Sequence, residues 1–450
     1  MKDREKIFRA YDIRGTYPDQ LHKNVVRDLA IVITAFFPKR GRVLIGRDAR
    51  KSSPALLKEL EKGLLERGAR VYNAGLITSP QLVFLVRSKK MDGGVIVTAS
   101  HNPPQYNGLK VVDKNGVAIS GEQIEKKLTN SRGLPKKTAK RKSINIHEDA
   151  IRSYGAFLGA RANLKKDVRV VFDALHGAVG PIIKNVCSKQ KHIIPIYLNL
   201  PANGKFPPQG PDPTYPQTQK LIRKEIIKQR ADAGILFDGD GDRMVLLDEK
   251  GNVVRPEYVW RMLFLGMKAK KTVYATPLAW MMGVLSQELR SLGVLLSVEQ
   301  SKVGHSFMVK KMRAIDGDIG VEQSGHYYFK DFFYAGSGIL AALYALNVLS
   351  RLPYTLSVFS SLLPASHRPS ERGIKKRYDM KKMYILFKKM LPKNTSLSSL
   401  DGISGWMGDG WFNVRSSNTQ LRLRINVEAA TKKEAESIYQ KILTVIRKCS

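Results

Sequence analysis

Three aspartates alternate with glycines in the segment 238–243, which reads DGDGDR. The apolar runs 235–237 and 244–247 on either side are typical of short strands. In an extended chain, residues two positions apart point the same way, so the three carboxylates gather in a small volume. Their mutual repulsion requires a cation, and oxygen ligands suit Mg²⁺ or Ca²⁺. The segment therefore predicts a divalent-metal loop.

Two other interpretations of this loop are open. An EF-hand loop also carries Asp at its first, third and fifth positions, and Glu249 falls at the twelfth. However, Arg243 occupies the sixth position, where the EF-hand turn requires glycine, and the flanks are strand-like. An ordinary acidic turn is the second alternative, and its three carboxylates would lack a counterion.

A serine follows a β-branched run in the segment 98–112, which reads TASHNPPQYNGLKVV. Residues 95–98 predict a strand, so Ser100 lies where that strand ends and the chain turns. The chain has no G-x-S-x-G, P-loop or G-x-G-x-x-G motif, which argues against a hydrolase nucleophile, an NTPase and a dinucleotide enzyme. A plain loop with a second turn at Asn107-Gly108 is the alternative. A serine that carries a phosphoryl group needs a metal near its oxygens, and we expect Ser100 to meet the aspartate loop.

Two further segments carry side chains suited to a phosphorylated sugar. The segment 320–329, GVEQSGHYYF, offers a carboxylate and a hydroxyl to neighbouring sugar hydroxyls. The segment 415–420, RSSNTQ, offers a guanidinium, hydroxyls, an amide and turn N–H groups, as a phosphate pocket requires. A polar turn and a Ser/Asn hairpin turn are the respective alternatives.

Alternating strand and helix patterns must position these segments. A strand at 42–46 precedes a helix for which Ser53 is the expected N-cap, with Pro54 as its first residue and Gly68 beyond its end. Similar strand–helix patterns recur to about residue 364, which predicts three α/β units with parallel or mixed sheets. The remainder predicts an antiparallel strand pair and a last helix with a capping box formed by Thr431 and Glu434.

These patterns define the expected fold class: α/β, with three similar units of mixed sheets and crossover helices and a smaller α+β C-terminal domain. The expected domains are 1–145, with the Ser100 loop; 146–250, with the metal loop; 251–364, with the sugar loop; and 365–450, with the phosphate loop.

Composition limits the class of protein. The chain has 450 residues, 43% of them hydrophobic, and two cysteines, which fits several packed domains in a reducing cytoplasm. Its start lacks an apolar signal region, and its longest apolar run, 339–349, is too short to span a membrane. The net charge of +37 fits either a polyanionic partner such as nucleic acid or a lysine-rich surface. The charge is spread along the chain, with its densest part in the loop-like segment 132–142, and a nucleic-acid partner is not expected.

Taken in order, the four segments resemble those of the α-D-phosphohexomutase superfamily over nearly the whole chain. The opening FRAYDIRG at 8–15, together with DGDGDR, is most similar to the phosphomannomutase/phosphoglucomutase branch. The resemblance implies four domains around a central cleft and a cytoplasmic, Mg²⁺-dependent isomerase, monomeric or dimeric. It would interconvert hexose 1-phosphate and hexose 6-phosphate, with hexose 1,6-bisphosphate as intermediate and activator.

The resemblance also implies residue roles. Ser100 would be the phosphoserine and, with Asp238, Asp240 and Asp242, would hold Mg²⁺. The other expected catalytic residues are His101, Lys110, Arg243 and His326, with Lys110 and His326 as acid–base candidates. The expected substrate-binding residues are Tyr11, Arg14, His305, Glu322, Ser324, Arg415, Ser417, Asn418 and Thr419.

Three features depart from the family pattern. The sugar loop has Val321 where relatives often have glycine, and the phosphate loop continues as Gln420-Leu421 where they often have Glu-Pro. The third-domain lysine of some relatives has no counterpart at 274–277. The preferred sugar therefore stays open between mannose and glucose, and Gln323 keeps phosphoglucosamine mutase as an alternative. A mutase-like scaffold that binds polyanions is the alternative from another class.

Overall fold

A computed structural model of the chain describes residues 7–9, 12–129, 142–369, 372–374, 378–416 and 422–449. They form two compact units. The first unit comprises Met1–Lys268 and Ser324–Phe359, and the second comprises Ala269–Gln323 and Ser360–Ser450. The basic segment expected to be a loop lies, except for Lys142, outside the described residues.

The first α/β region builds a mixed sheet in the order β1-β5-β4-β2-β3-β7, with β6 beside β5. Strands β2, β3 and β4 run parallel, whereas β5 is antiparallel to β4 and β1. Every residue of β4 is buried, as its Val/Ile-rich sequence predicts for an inner strand. The elements are β1 Ile13–Thr16, α1 Lys23–Ile33, β2 Arg42–Arg47, α2 Ser53–Glu66, β3 Arg70–Leu76, α3 Ser79–Ser88, β4 Gly93–Val97, β5 Tyr106–Asp113, β6 Ala118–Ile119, α4 Gly121–Thr129 and β7 Ile144–Asn145.

One local expectation and one alternative for this region are wrong. Helix α2 begins at Ser53, with Ser52 as its N-cap, so Pro54 is the second helical residue. The reason is tertiary: the Ser53 hydroxyl donates to the buried Asp48 carboxylate at 2.6 Å instead of capping the helix. The Asn107-Gly108 turn of the loop alternative is also absent, because both residues lie within β5.

The second α/β region forms a four-stranded sheet in the order β11-β10-β8-β9. Strands β8, β9 and β10 are parallel, and β11 pairs antiparallel with β10. The DGDGDR loop joins β10 to β11, so its flanks are strands and the EF-hand alternative is wrong. The elements are α5 His147–Gly159, β8 Val168–Asp173, α6 Gly180–Cys187, β9 Ile193–Leu198, α7 Pro216–Gln229, β10 Ala233–Phe237 and β11 Met244–Leu247.

The third α/β region contributes to both units. In the second unit, β12 pairs in parallel with β13 and with β14. In the first unit, β15 and β16 form an antiparallel pair. The elements are α8 Pro256–Gly266, β12 Lys271–Ala275, α9 Ala279–Ser291, β13 Ser297–Ser301, α10 His305–Ile315, β14 Ile319–Val321, β15 Tyr327–Phe329, β16 Ala335–Gly336, α11 Gly338–Leu349 and α12 Leu356–Ser361.

The C-terminal region is an antiparallel sheet in the order β17-β21-β20-β19-β18 with two helices packed on it. The expected capping box is confirmed: the Thr431 hydroxyl accepts from the Glu434 N–H at the start of α14. The elements are β17 Arg372–Ile374, α13 Met380–Met390, β18 Ser396–Ser398, β19 Ile403–Met407, β20 Gly410–Ser416, β21 Leu423–Glu428 and α14 Lys432–Arg447.

The expected fold class, three α/β units and a smaller α+β domain, is confirmed by these regions. The exact domain boundaries stay predictions. Among the described residues, no helix combines the length and the apolar character that crossing a membrane demands.

Candidate active site

The backbone of Ser100 is held in a left-handed conformation three residues after β4 ends. Its φ is +51°, a region that costs a non-glycine residue about 1–2 kcal/mol. Its N–H donates to the Thr98 hydroxyl at 2.9 Å, and its own hydroxyl donates to Asp238 Oδ2 at 2.8 Å. Only 2% of the residue is exposed. The serine is therefore fixed against the first aspartate of the loop.

The aspartate loop brings three carboxylates to one place. One oxygen from each of Asp238, Asp240 and Asp242 lies within 4.8 Å of the others. Asp238 and Asp240 are fully buried, and 14% of the Asp242 side chain is exposed. Gly241, at φ +75°, provides the left-handed turn that folds the loop back, a conformation that glycine adopts without a steric penalty.

The donor set fits a divalent cation. Asp240 Oδ2 accepts from Lys110 Nζ and from the Ser79 hydroxyl, both at 2.6 Å. Its other oxygen, Oδ1, is buried and has no hydrogen-bond partner among the described residues. A buried carboxylate oxygen without a partner is costly, and a cation would satisfy it. With the Ser100 oxygen, the groups that could hold a cation here are all hard oxygens, as Mg²⁺ prefers.

Lys110 is the main positive charge beside the triplet. Its ammonium donates to Asp240 at 2.6 Å and to Asp242 at 2.7 Å. Burial lowers the pKa of Lys110, but these two carboxylates more than offset that effect and raise the pKa above its ordinary value. Lys110 therefore carries its proton at neutral pH.

The pKa values of Asp238 and Asp242 are shifted in opposite directions by their surroundings. Burial, together with the charges of Asp242 and Asp240, raises the pKa of Asp238 well above its usual value. Burial also acts to raise the pKa of Asp242, but Lys110 and His326 outweigh it and hold that pKa well below the usual value. The protein's own cations thus stabilise the negative charge of Asp242 more than that of Asp238.

A histidine and an arginine extend this cluster. His326 Nε2 lies 3.2 Å from Asp242 Oδ1 and 3.3 Å from Arg243 Nε, and its Nδ1 lies 2.9 Å from the Ser324 hydroxyl. The backbones of Arg243 and His326 also form a β-bridge, which fixes the spacing of the two side chains. The structure thus joins the end of the metal loop to the second half of the predicted sugar loop.

His101 and Arg14 also contact or belong to the serine loop. His101 Nδ1 is 3.3 Å from the Ser100 hydroxyl oxygen. Burial and the guanidinium groups of Arg243 and Arg14 lower the pKa of His101 well below its usual value, so the imidazole is neutral near pH 7. Arg14 donates to Asn102 Oδ1 at 2.5 Å and pairs with Asp12.

The second unit holds a separate group of predicted residues. Glu322 is buried and accepts from the Gly304 N–H at 2.9 Å, just before His305 opens α10. Asp401 accepts from the Val303 N–H at 3.1 Å. Burial raises the pKa of Asp401, and the charge of Arg415 opposes that shift. Arg415 is buried, and its Nε has no hydrogen-bond partner among the described residues.

Four predicted substrate-binding residues, Tyr11, Ser417, Asn418 and Thr419, lie outside the described residues, as do Gln420 and Leu421. Of the rest, the first unit brings together Arg14, Ser100, His101, Lys110, the aspartate triplet, Arg243, Ser324 and His326. The second unit brings together Glu322, His305 and Arg415, the last through Asp401.

Several residues that contact the site were not expected. Ser79 and Thr98 lie beside Asp240, Arg50 donates to a carbonyl of the serine loop, and Asp401 lies beside Arg415. Ser79 follows a capping-box threonine, so its sequence indicates only a helix start. Arg50 belongs to the RDAR stretch between a buried strand and a helix, and that stretch resembles an ordinary exposed, charged turn, so it gave no signal of the burial of Arg50.

Close approach of the two loops requires glycine at position 239. A Cβ added there would lie 2.7 Å from the Ser100 carbonyl oxygen and 2.8 Å from Pro211 Cγ. We expect Gly239→Ala to lower the free energy of unfolding by about 1–3 kcal/mol, because backbone must shift. Denaturant unfolding of Gly239→Ala and Gly336→Ala checks this, since a Cβ at 336 meets its nearest neighbour at 3.5 Å. Equal stability of the two variants would contradict the expectation.

Comparison with known families gives matches along most of the chain. Four models describe the phosphoglucomutase/phosphomannomutase domains: α/β/α domains I, II and III at residues 5–133, 149–251 and 269–365, and the C-terminal domain at 387–445. The resemblance inferred from the sequence is confirmed.

Individual relatives agree. A phosphomannomutase of Methanocaldococcus jannaschii is 31% identical over 453 residues, covering 98% of both chains. A phosphomannomutase/phosphoglucomutase of Pseudomonas aeruginosa is 31% identical over 448 residues, covering 96% of this chain and 93% of the relative.

Solved structures share the fold. A phosphoglucomutase/phosphomannomutase family protein from Burkholderia thailandensis has a TM-score of 0.86 at 24% identity, covering 99% of this chain and 98% of that one. An N-acetylphosphoglucosamine mutase from Aspergillus fumigatus, solved with GlcNAc-6P and magnesium, has a TM-score of 0.61 at 14% identity, covering 99% and 97%. From the four matched domains and the full-length relatives, we conclude that this chain belongs to the phosphoglucomutase/phosphomannomutase family of enzymes.

Proposed function

We propose that this enzyme interconverts hexose 1-phosphate and hexose 6-phosphate, of mannose, glucose or both, through a phosphoserine at Ser100 and a hexose 1,6-bisphosphate. The observation that carries the proposal is the contact of the Ser100 hydroxyl with Asp238, within a triplet of carboxylates that can hold a metal. Family membership supports the class of reaction, and this contact supports Ser100 as the nucleophile.

The metal we assign to the site is Mg²⁺, held by Asp238, Asp240, Asp242 and an oxygen of Ser100. When bound, Mg²⁺ neutralises charge on the phosphoryl oxygens and favours transfer. The partnerless, buried Asp240 Oδ1 supports this assignment. The distant relative solved with magnesium is consistent with it.

The reaction balances in two transfers. In the first, the bond between phosphorus and Ser100 Oγ breaks, a bond forms to the free sugar hydroxyl, and that hydroxyl loses its proton. The resulting bisphosphate turns end over end. In the second, Ser100 Oγ takes the other phosphoryl group, and the released sugar oxygen regains a proton. No free phosphate forms, and Ser100 ends as it began.

Protons must therefore move at the sugar oxygen in both steps. Lys110 and His326 are the acid–base groups we assign, because each contacts Asp242 of the carboxylate triplet. His101, 3.3 Å from the Ser100 hydroxyl, is placed to orient the nucleophile. Positioned acid–base groups of this kind contribute about 10²–10⁴-fold to a rate.

The remaining predicted site residues have roles in binding the sugar and in balancing the charge of the bisphosphate. Each phosphate carries about −1.5 to −2 near neutral pH, so the bisphosphate brings roughly −3 to −4. That negative charge would be balanced by the positive side chains of Arg14, Arg243, Lys110 and Arg415. The segment 415–419 would bind the phosphate that is not reacting. Glu322 and Ser324 would hold sugar hydroxyls. A guanidinium recognises a phosphate whichever carbon carries it, as a reoriented intermediate requires.

A direct test is the covalent state of Ser100. Purified enzyme incubated with glucose 1,6-bisphosphate and Mg²⁺ is expected to gain the mass of one phosphoryl group, and peptide mapping should place it on Ser100. Incubation with glucose 6-phosphate should then remove that mass. If the enzyme interconverts phosphosugars but never carries a covalent phosphoryl group, the phosphoserine mechanism is refuted.

Sugar preference needs a separate measurement. Coupled assays on one preparation with mannose, glucose and glucosamine phosphates are expected to give the highest kcat/KM with mannose or glucose. Gln323 in the sugar loop favours glucosamine phosphate as the second candidate. A tenfold or greater preference for glucosamine phosphate would establish that alternative.

The net charge of +37 favours one candidate of another class, a polyanion binder on a mutase scaffold. Binding of single-stranded RNA, measured from low to high salt, tests it. Affinity that falls steeply with salt, in a protein with no mutase turnover, would favour the binder. Turnover with weak RNA binding supports the mutase.

A further inference from the structure

One buried arginine, Arg50, forms hydrogen bonds with several backbone carbonyls of the serine loop. Arg50 Nη2 donates to the carbonyls of Ser100 and Asn102, both at 2.7 Å. Its Nη1 donates to the carbonyls of Pro103 at 2.8 Å and Tyr106 at 3.0 Å. Four carbonyls from one short loop therefore converge on a single guanidinium, which is a planar and rigid donor.

A second buried network holds that arginine in place. Arg50 Nε donates to Asp48 Oδ2 at 3.1 Å, and the Arg50 N–H donates to Asp48 Oδ1 at 3.0 Å. Asp48 Oδ1 also accepts from the Ser53 hydroxyl, which in turn accepts from Asn107 Nδ2 at 3.0 Å. Arg50 is 1% exposed and Asp48 is 0% exposed. The guanidinium is thus prevented from moving by Asp48, which follows β2, and through it by residues of α2 and β5.

This arrangement explains how the strained serine persists. A non-glycine residue keeps a left-handed backbone only where its surroundings determine it from several sides. The Ser100 carbonyl is held by Arg50, its N–H by Thr98 and its hydroxyl by Asp238. The contact with Arg50 also links the Ser100 carbonyl to those of residues 102, 103 and 106 through one guanidinium.

We propose that Arg50, oriented by Asp48, is a positioning residue that fixes the serine loop so that Ser100 Oγ lies in line for phosphoryl transfer. This inference rests on the proposed function for its catalytic part, whereas the ordering of the loop can be measured independently. Arg50 touches neither the reacting atoms nor a metal ligand side chain, so its effect passes through the backbone of residues 100–106.

Arg50→Lys is the informative change. Lysine keeps the positive charge beside Asp48, but its three N–H donors cannot serve one carboxylate and four carbonyls. The matched control is Arg223→Lys, because Arg223 also donates to a backbone carbonyl, that of Gly251, but lies in α7 away from the site. Hydrogen exchange, kcat, KM and the rate of phosphoryl uptake from glucose 1,6-bisphosphate are measured on both variants and the unmodified enzyme.

In Arg50→Lys, exchange of the amides at 99–107 is expected to rise at least about tenfold, with the amides of β2 unchanged. Both kcat and the rate of phosphoryl uptake are expected to fall about 10²-fold, as small misplacements of a reacting group produce, with KM within about twofold. Arg223→Lys should leave all four quantities unchanged.

Two results would overturn the inference: unchanged exchange at 99–107, or faster exchange with unchanged kcat and phosphoryl uptake. A purely structural role would lower the melting temperature and leave the kcat of folded enzyme intact. If Arg50→Lys does not fold, Ser53→Ala perturbs the same network more gently and should shift the same quantities less. An unmodified enzyme that never takes up phosphoryl would refute the proposed function, and exchange would still decide whether Arg50 orders the loop.

Discussion

Replacement of Ser100 by alanine is expected to lower kcat at least about a thousandfold while the protein stays folded, because the nucleophile itself is lost. The Ser100 side chain makes a hydrogen bond to Asp238 at 2.8 Å and a longer contact with His101 Nδ1 at 3.3 Å. Its removal therefore affects the chemistry far more than the packing. Coupled mutase assays and intact-mass analysis after incubation with glucose 1,6-bisphosphate measure turnover and phosphoryl uptake together, and both should vanish.

Two companion variants separate chemistry from folding. Ser100→Gly also lacks the hydroxyl, but glycine adopts φ +51° without strain, so this variant should be inactive and at least as stable as Ser100→Ala. Ser188→Ala, at an exposed serine that ends α6, should behave as the unmodified enzyme. Appreciable turnover in Ser100→Gly would show that another group carries the phosphoryl.

Asp240→Asn is expected to weaken Mg²⁺ binding by at least about 100-fold. Substitutions of residues that only hydrogen-bond to metal ligands typically weaken binding by about 10–100-fold, and loss of a ligand should cost more. Asparagine offers one neutral oxygen where Asp240 offers two, one of them buried and without a hydrogen-bond partner among the described residues. Turnover should fall with metal occupancy. Thermal unfolding against Mg²⁺ concentration, without sugar, measures binding independently of activity.

The expected stabilisation follows from linkage. At a Mg²⁺ concentration of about 100 times its Kd, the unmodified protein gains roughly 2.7 kcal/mol, and a 100-fold weaker variant gains about 0.4 kcal/mol. Asp167→Asn is the matched control, because 64% of that side chain is exposed. An Asp240→Asn variant that responds to Mg²⁺ as the unmodified protein does would refute the metal assignment.

Local patterns were sufficient to predict the elements that position the site. The β-branched run before Ser100 forms β4, and the apolar runs around DGDGDR form β10 and β11. Alternation of Asp and Gly predicted converging carboxylates, and they lie within 4.8 Å. Such features depend on neighbours in the chain, which is why one sequence reveals them.

Features that depend on distant residues were not predictable in this way. Ser53 was expected to cap α2, but its hydroxyl is used by Asp48 instead. Arg50 lies in a charged turn that resembles an exposed one, yet it is fully buried because four loop carbonyls and a carboxylate satisfy it. Hydrophobic periodicity carries no information on which buried polar groups will find partners.

The near-complete burial of Ser100 has a consequence for how the enzyme is first activated. A protein kinase acts on a segment that it can draw out as an extended strand, and Ser100 is 2% exposed in a left-handed turn held by Arg50 and Asp238. Under the proposed mechanism, the first phosphoryl group on Ser100 would then arrive on a diffusible sugar bisphosphate. Newly made enzyme would stay idle until it encountered such a molecule, which ties the onset of its activity to the cell's supply of phosphorylated sugars.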